Sequence, residues 1–294
     1  MKVIEALNKN TPTLSFEFFP PKTPDQEKKL FETLAELKAF KPDFVSVTYG
    51  AMGTTREKTF FWVKEIKEKY GIEPVAHLTC IAAAKDDIAK QLDDFENIGV
   101  TNLLALRGDP PEGEKNFIPP QNGFKFAKEL IDFIKNKKPD FCLGVAGFPE
   151  GHPKTSSVDL DVKYLKEKIS AGGEYVISQL FFDNRFFFDF TEKCQQAGIN
   201  IPIIAGLMPI TSLQQIKRLT DTCGASIPAK LQDDLKRHAA DPRSIKQIGI
   251  DQASKQAEEL LKAGVPGIHF FVMNQAGSMS AILNDLPSYR SRGR

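Results

Sequence analysis

LSFEFFPP, residues 14–21, sets a single glutamate, Glu17, among Leu14, Phe16, Phe18 and Phe19, and two prolines follow. A carboxylate inside so apolar a run is costly to bury unless it is paired, wetted from one side or protonated. The segment TLSFEF (13–18) reads as a short strand with Glu17 at its C-terminal end. Seven more short runs share its character: FVSVT (44–48), PVAHLTC (74–80), NLLAL (102–106), CLGVA (142–146), YVISQLF (175–181), PIIAG (202–206) and GIHFFV (267–272). Several are apolar throughout, as parallel strands covered on both faces are.

Helical periodicity fills the intervals. Residues 25–40 put Leu30, Phe31, Leu34 and Leu37 on one stripe, and 56–70, 85–99, 123–136, 161–173 and 185–198 follow the same period. Gly71, Gly99, Gly172 and Gly198 stand where helix C-caps fall. Eight strands alternating with helices predict a TIM (β/α)8 barrel. A doubly wound open sheet also alternates, but no GxGxxG follows the first strand. Between the seventh and eighth strands the spacing predicts extra helices near 211–221, 228–238 and 244–263, an embellishment of a single domain over 1–294. The segment 223–245 has no role legible in the sequence.

The 294 residues are 41% hydrophobic, enough for a large core, and the net charge of +1 offers no bulk attraction for nucleic acid or an anionic membrane. Cys80, Cys142, Cys194 and Cys223 are scattered, which argues against a disulfide framework or a zinc site. The start MKVIEALNKN lacks the apolar core of a signal peptide, and no run reaches the ~20 apolar residues of a membrane span. A cytoplasmic protein is expected.

In a TIM barrel the chemistry gathers at the C-terminal strand ends. Those ends carry Glu17; Thr48, Tyr49 and Ala51; His77; Arg107, Gly108 and Asp109; Phe148, Glu150 and His152; Gln179 and Asp183; and His269, Asn274 and Gln275. Each has a structural reading beside a functional one. Glu17 pairs with Arg107 or Lys168 to hold the barrel, or serves chemistry. His77 is a hydrogen-bonded core histidine or a ligand contact. RGDPP is a tight turn capped by Asp109, and FFDNRFFFDF (181–190) is a core-facing helix start. A Schiff-base aldolase needs a lysine near a strand end, and the sixth strand, YVISQLF, has none. A metal-dependent hydrolase needs converging histidines, and of the four present His238 sits on a surface helix pattern.

SFEFFPPKT, VTYGAMGTTREKT, HLTC, LLALRGDPP, FPEGHP, ISQLFFD, AGLMPI and HFFVMN, in this order at strand ends, resemble the methylenetetrahydrofolate reductase family from about residue 12 to about 285. The resemblance implies a TIM barrel with non-covalent FAD. It implies reduction of 5,10-methylenetetrahydrofolate to 5-methyltetrahydrofolate by NADH or NADPH in ping-pong fashion, within one-carbon metabolism and methionine synthesis. It implies no regulatory domain, and a homo-oligomer. The alternative is a flavin- or folate-binding barrel subunit that needs a partner electron donor.

By the same resemblance Glu17 is the general acid that protonates N10 of the folate, its pKa raised by desolvation. Asp109 stands beside flavin and pterin, where its charge lowers the flavin potential and stabilises a cationic iminium. Gln179 binds the folate. Thr48, Tyr49, Ala51, His77, Arg107, Gly108, Asp109, Ala127, Phe148, His152, Asp161 and Lys168 face FAD, with Arg107 and Lys168 suited to its phosphates. The chain departs from the pattern at four positions. Phe148 replaces a tyrosine, Tyr164 and Glu167 replace an asparagine and an arginine, and Gln275 stands where an arginine meets the folate tail. Gln275 is expected at the folate tail, where binding is then weaker than an arginine gives or uses Arg185 or Lys22 instead.

Overall fold

The computed structural model describes residues 1–21, 23–48, 56–109, 120–155, 157–272, 276–290 and 292. Eight strands form the sheet: β1 Thr13–Phe18, β2 Phe44–Val47, β3 Pro74–Thr79, β4 Asn102–Leu106, β5 Cys142–Gly147, β6 Tyr175–Ser178, β7 Ile203–Leu207 and β8 Gly267–Phe271. Each pairs in parallel with its neighbour in sequence, and β8 returns to β1, so the sheet closes as the expected barrel.

The helices are α1 Val3–Leu7, α2 Pro24–Lys38, α3 Arg56–Glu65, α4 Lys85–Asn97, α5 Ala127–Lys137 and α6 Val158–Ser170. They continue with α7 Asn184–Gln196, α8 Leu213–Cys223, α9 Ala229–Arg237, α10 Pro242–Lys262, α11 Ala276–Asp285 and α12 Pro287–Arg290. Their starts follow local chemistry. Thr23, Ser157, Asp183, Ser212 and Asp241 each accept a backbone N–H of the first helical turn. The run 181–190 is a core-facing helix start as expected: Asp183 caps α7, and Phe187 and Phe190 are buried. The period over 123–136 sets in later than expected, at Ala127, because Gly123 is held in a bridge to Ala84.

The outer face of the sheet and the inner faces of the helices share one continuous core, which contains Phe16, Leu34, Leu78, Leu103, Ile131, Val176 and Phe270. The barrel interior is filled separately by Phe44, Val75, Leu104, Cys142, Tyr175, Ile177 and Ile204. Helix α1, too short to read by periodicity, adds Val3 and Leu7 to that filling. Asn102, at the N-terminal edge of β4, fixes it by accepting from the Val3 N–H at 2.9 Å and donating to the Met1 carbonyl at 2.9 Å. One end of the barrel is thus plugged, and chemistry is left to the other. Helices α8, α9 and α10 pack over that other end through Leu180, Phe182, Met208, Ile216, Leu231, Leu235 and Ile245.

The interior filling depends on one close approach. A Cβ on Gly144 would lie 2.5 Å from the Tyr175 ring. Gly144→Ala is therefore expected to cost about 1–3 kcal/mol in a urea melt, since overpacked cores lose that much. Tyr175→Leu in the same background should return part of the loss; a wild-type midpoint for Gly144→Ala alone would contradict this packing.

Candidate active site

Strand alternation sends every second residue into the barrel. In β1 these include Ser15 and Glu17; Glu17 is in register with Ser46 of β2, and Ser15 with His269 of β8. His77 enters from β3. The result is a buried polar cluster. Glu17 Oε2 lies 3.4 Å from His77 Nε2 and 3.6 Å from His269 Nε2. The exposed fractions of these side chains are 9% for Glu17, 6% for His77 and 0% for His269.

The cluster has a direction. Ser15 Oγ is 2.8 Å from His269 Nδ1 and 3.3 Å from the Ile268 carbonyl. The hydroxyl donates to the Ile268 carbonyl and keeps its oxygen against Nδ1, while Nε2 faces Glu17 and lies 3.3 Å from Ser46 Oγ. Phe44 stacks on the His269 ring at 6.0 Å and Phe271 meets it edge-on at 5.5 Å, so the imidazole cannot swing. His77 Nε2 is buried and, despite its proximity to Glu17, lacks the alignment of a hydrogen bond.

Burial pushes the Glu17 carboxyl up, but His269, His77 and Ser46 together outweigh it and leave its pKa below the ordinary value. This corrects the expectation of a raised pKa: the desolvation is present, and the imidazoles and hydroxyl opposite reverse its sign. Burial lowers the pKa of His77, which therefore stays neutral where a free histidine would begin to charge.

Both groups make the fold sensitive to acid. Below the ordinary histidine value the unfolded chain takes up a proton that buried His77 refuses. Lower still, the unfolded chain protonates a glutamate that Glu17 keeps ionised. In both intervals the unfolded state binds more protons, so stability falls as pH falls. Urea midpoints are expected to decline from about pH 6.5 downward, the free-histidine value, and His77→Gln should flatten the upper part of that decline. A midpoint constant from pH 7 to 5 would overturn it.

The other sequence-predicted residues occupy the rim. After β5, Phe148 packs edge-on against His152 at 4.8 Å, and the His152 N–H donates to Asp161 Oδ2 at 2.5 Å across the start of α6. Gly151 sits between Glu150 and His152 with φ +87°, a conformation that favours glycine. Burial, partly countered by Asp161, lowers the His152 pKa. Lys168 lies half-buried with Nζ donating to the Ala146 carbonyl at 2.6 Å, and burial lowers its pKa to about 8.

Arg107 and Asp109 follow β4, exposed; Asp109 lies 3.6 Å from Lys154 Nζ. Gly108 between them has φ +81°. Thr48 donates its N–H to the Phe18 carbonyl at the end of β1. Gln179 is half-buried after β6, its side-chain oxygen accepting the Leu180 N–H at 2.9 Å. Ala127 opens α5, Tyr164 is exposed on α6, and Arg185 clasps Asp183 at the surface. Tyr49, Ala51, Gln275 and Lys22 lie outside the described residues.

Of the two structural readings of Glu17, neither ion pair forms: Arg107 is on the exposed rim and Lys168 is committed to Ala146. The carboxylate faces histidines instead. Ser15 and Ser46 were missed by the sequence reading, and His269 was named without a role. The available signal was the two-residue spacing of Ser15 and Glu17, which puts both inside the barrel.

The rim suits a ligand carrying a diphosphate and a flat ring system. Arg107 and Lys168 supply cations, His152 is fixed by Asp161, and His77 holds a buried, unpartnered ring nitrogen beside the carboxylate. Among the described residues no helix is long and apolar enough to cross a membrane.

The family model described as methylenetetrahydrofolate reductase matches residues 2–287. Methylenetetrahydrofolate reductase (NADH) 1 of Arabidopsis thaliana is 35% identical over 300 residues, 97% of this chain and 51% of its own length. The 5,10-methylenetetrahydrofolate reductase of Escherichia coli is 36% identical over 273 residues, 93% of this chain and 90% of its own length. The chain therefore spans about half the length of the plant relative and most of the bacterial one. An uncharacterized protein from Clostridium thermocellum, solved as binding two copies of 5-methyl-5,6,7,8-tetrahydrofolic acid, shares the fold with a TM-score of 0.61. At 17% identity it covers 99% of this chain and 100% of that one.

Proposed function

The chain belongs to the methylenetetrahydrofolate reductase family, and from that premise we propose that it reduces 5,10-methylenetetrahydrofolate to 5-methyltetrahydrofolate with electrons from NADH or NADPH. The observation that carries the proposal is Glu17, a buried carboxylate facing two imidazoles at the chemical end of the barrel.

FAD, when bound, supplies the hydride relay between the nicotinamide and the folate. Arg107 and Lys168 would meet its phosphates. Thr48, His77, Gly108, Ala127, Phe148, His152 and Asp161 would line it, with Tyr49 and Ala51 assigned to it by sequence. The fit rests on the cations at the rim and on the unpartnered His77 Nε2.

Glu17 performs the proton step. The folate's five-membered ring opens to an iminium when N10 leaves, and a proton delivered to N10 lets it go. Glu17 rests ionised, so the carboxylate takes up a proton before it delivers one to N10. His269, stacked on Phe44 and in contact with Ser15, holds Nε2 toward the carboxylate, and His77 flanks it. Phe44, fully buried inside the barrel and stacked on the His269 ring, keeps water from that side of the cluster. Asp109 offers a negative charge for the cationic iminium, and Gln179 a hydrogen bond to the pterin. The folate tail is assigned to Gln275 or, from the rim, Arg185.

The test is anaerobic mixing of the purified protein with NADH or NADPH, then with methylenetetrahydrofolate, while following flavin absorbance. Bleaching followed by recovery supports the reductase and selects the nicotinamide. Bound flavin that neither nucleotide bleaches supports a barrel subunit served by a partner donor. A protein that takes up no FAD overturns the reading.

A further inference from the structure

The loop after β5 is tied down on both sides of Gly151. On one side the His152 N–H is held by Asp161. On the other, Glu150 Oε2 accepts two hydrogen bonds from Ser226, one from its N–H at 2.9 Å and one from its hydroxyl. Ser226 lies 76 residues away in sequence, in the connector between α8 and α9. The same connector touches the loop again: a Cβ on Gly224 would lie 3.2 Å from the Pro153 ring. Ala225 between them is buried against the rim with Phe182 and Met208. The connector is therefore anchored to the barrel and can act as a fixed post.

Glu150 itself is unusual. Its Oε1 is buried without a hydrogen-bond partner. Burial raises its pKa, and the nearby Asp183 adds to that rise. A carboxylate kept in so unfavourable a place needs a compensating contact, and Ser226 is the one it has.

We propose that Glu150 is a positioning residue. By gripping Ser226 it holds the loop against the α8–α9 connector and so fixes Phe148 and His152 at the mouth of the barrel. The 223–245 segment thereby gains a structural role, since it carries the post. The inference rests on the reading that Phe148 and His152 face the flavin, but the placement of His152 is measurable without flavin.

Three variants test it in the full chain: Glu150→Ala, Glu150→Gln and Ser226→Ala. Before FAD is added, the His152 imidazole is titrated by NMR, its signal assigned among the four histidines with His152→Gln. Burial is what lowers the His152 pKa, so Glu150→Ala should move it back toward the ordinary value. Asp161, Lys154, Asp109 and Arg107, the charges that face His152, are untouched. Ser226→Ala keeps the backbone donor and should move it part of the way. Glu150→Gln keeps an oxygen for both Ser226 donors and should stay near wild type.

FAD is then bound and its release followed by fluorescence. Glu150→Ala should release it about tenfold faster or more, as expected for losing two hydrogen bonds, while Glu150→Gln should match wild type. An unmoved His152 titration in Glu150→Ala overturns the proposal, as does a glutamine variant that behaves like alanine. If Glu150→Ala does not fold, Ser226→Ala and the glutamine variant decide by the same readouts. If the wild type takes up no FAD, the functional reading fails while the His152 titration still decides the positioning role.

Discussion

Glu17→Gln is expected to leave flavin reduction by the nicotinamide intact and to slow reoxidation by methylenetetrahydrofolate by about 10²–10⁴-fold, the range of a lost general acid. Glutamine keeps the size of the side chain and an oxygen for the Ser46 contact, so the strand register between β1 and β2 should survive. What it cannot do is exchange a proton with N10 or share one with His77 and His269. The two half-reactions therefore separate. Nicotinamide oxidation needs no acid at the folate nitrogen and continues, while folate reduction stalls. Single-turnover absorbance traces give both rates from one sample. Reoxidation at the wild-type rate would remove Glu17 from the chemistry and leave it a structural member of the buried cluster.

The barrel was legible because its signals are local and repeated. Eight short apolar runs, each followed by an amphipathic period, admit few architectures, and the strands fall within about two residues of the sequence reading at most ends, as boundaries do. Residues 175–181 were the exception: β6 ends at Ser178, because Gln179 turns its side chain back onto the Leu180 N–H. Helices α1 and α12 escaped detection because each is a single turn or little more, and α11 because the polar edge of AGSMSAILND is narrow, Ser280 and Asn284 one turn apart.

The site was legible only in part. Which side chains gather at strand ends follows from the fold, so Glu17, His77 and His152 could be named, while Asp161, on α6, came only from the family resemblance. Their protonation could not. Whether burial or a partner governs a carboxylate depends on what three other strands place opposite it, and in Glu17 the partners prevail. The same holds for Glu150, whose contact with Ser226 spans 76 residues and leaves no periodic trace in either segment.

His269→Leu carries the second large effect. The ring is fully buried between Phe44 and Phe271, with Ser15 and Ser46 at its two nitrogens. Leucine fills most of the space but removes the ring nitrogen that faces Glu17. Breaking one side of a buried pair costs about 3–5 kcal/mol. The deficit has a sign in pH that separates electrostatics from packing. In the wild type the depressed Glu17 pKa contributes stability that is present above the unfolded glutamate value and lost as pH falls through the folded one. Without His269 burial dominates, the Glu17 pKa rises above the unfolded value, and the contribution becomes a penalty at neutral pH. Protonation relieves that penalty, so the gap between wild type and variant should narrow from pH 7 to pH 5. Burial, the largest cause of the lowered His77 pKa, is common to both proteins. Urea midpoints at several pH values measure this directly: a gap independent of pH would reduce His269 to a packing residue. A narrowing gap would mean that this histidine sets the charge on Glu17, and the pH optimum of folate reduction should then move upward in the variant together with the carboxyl it depends on.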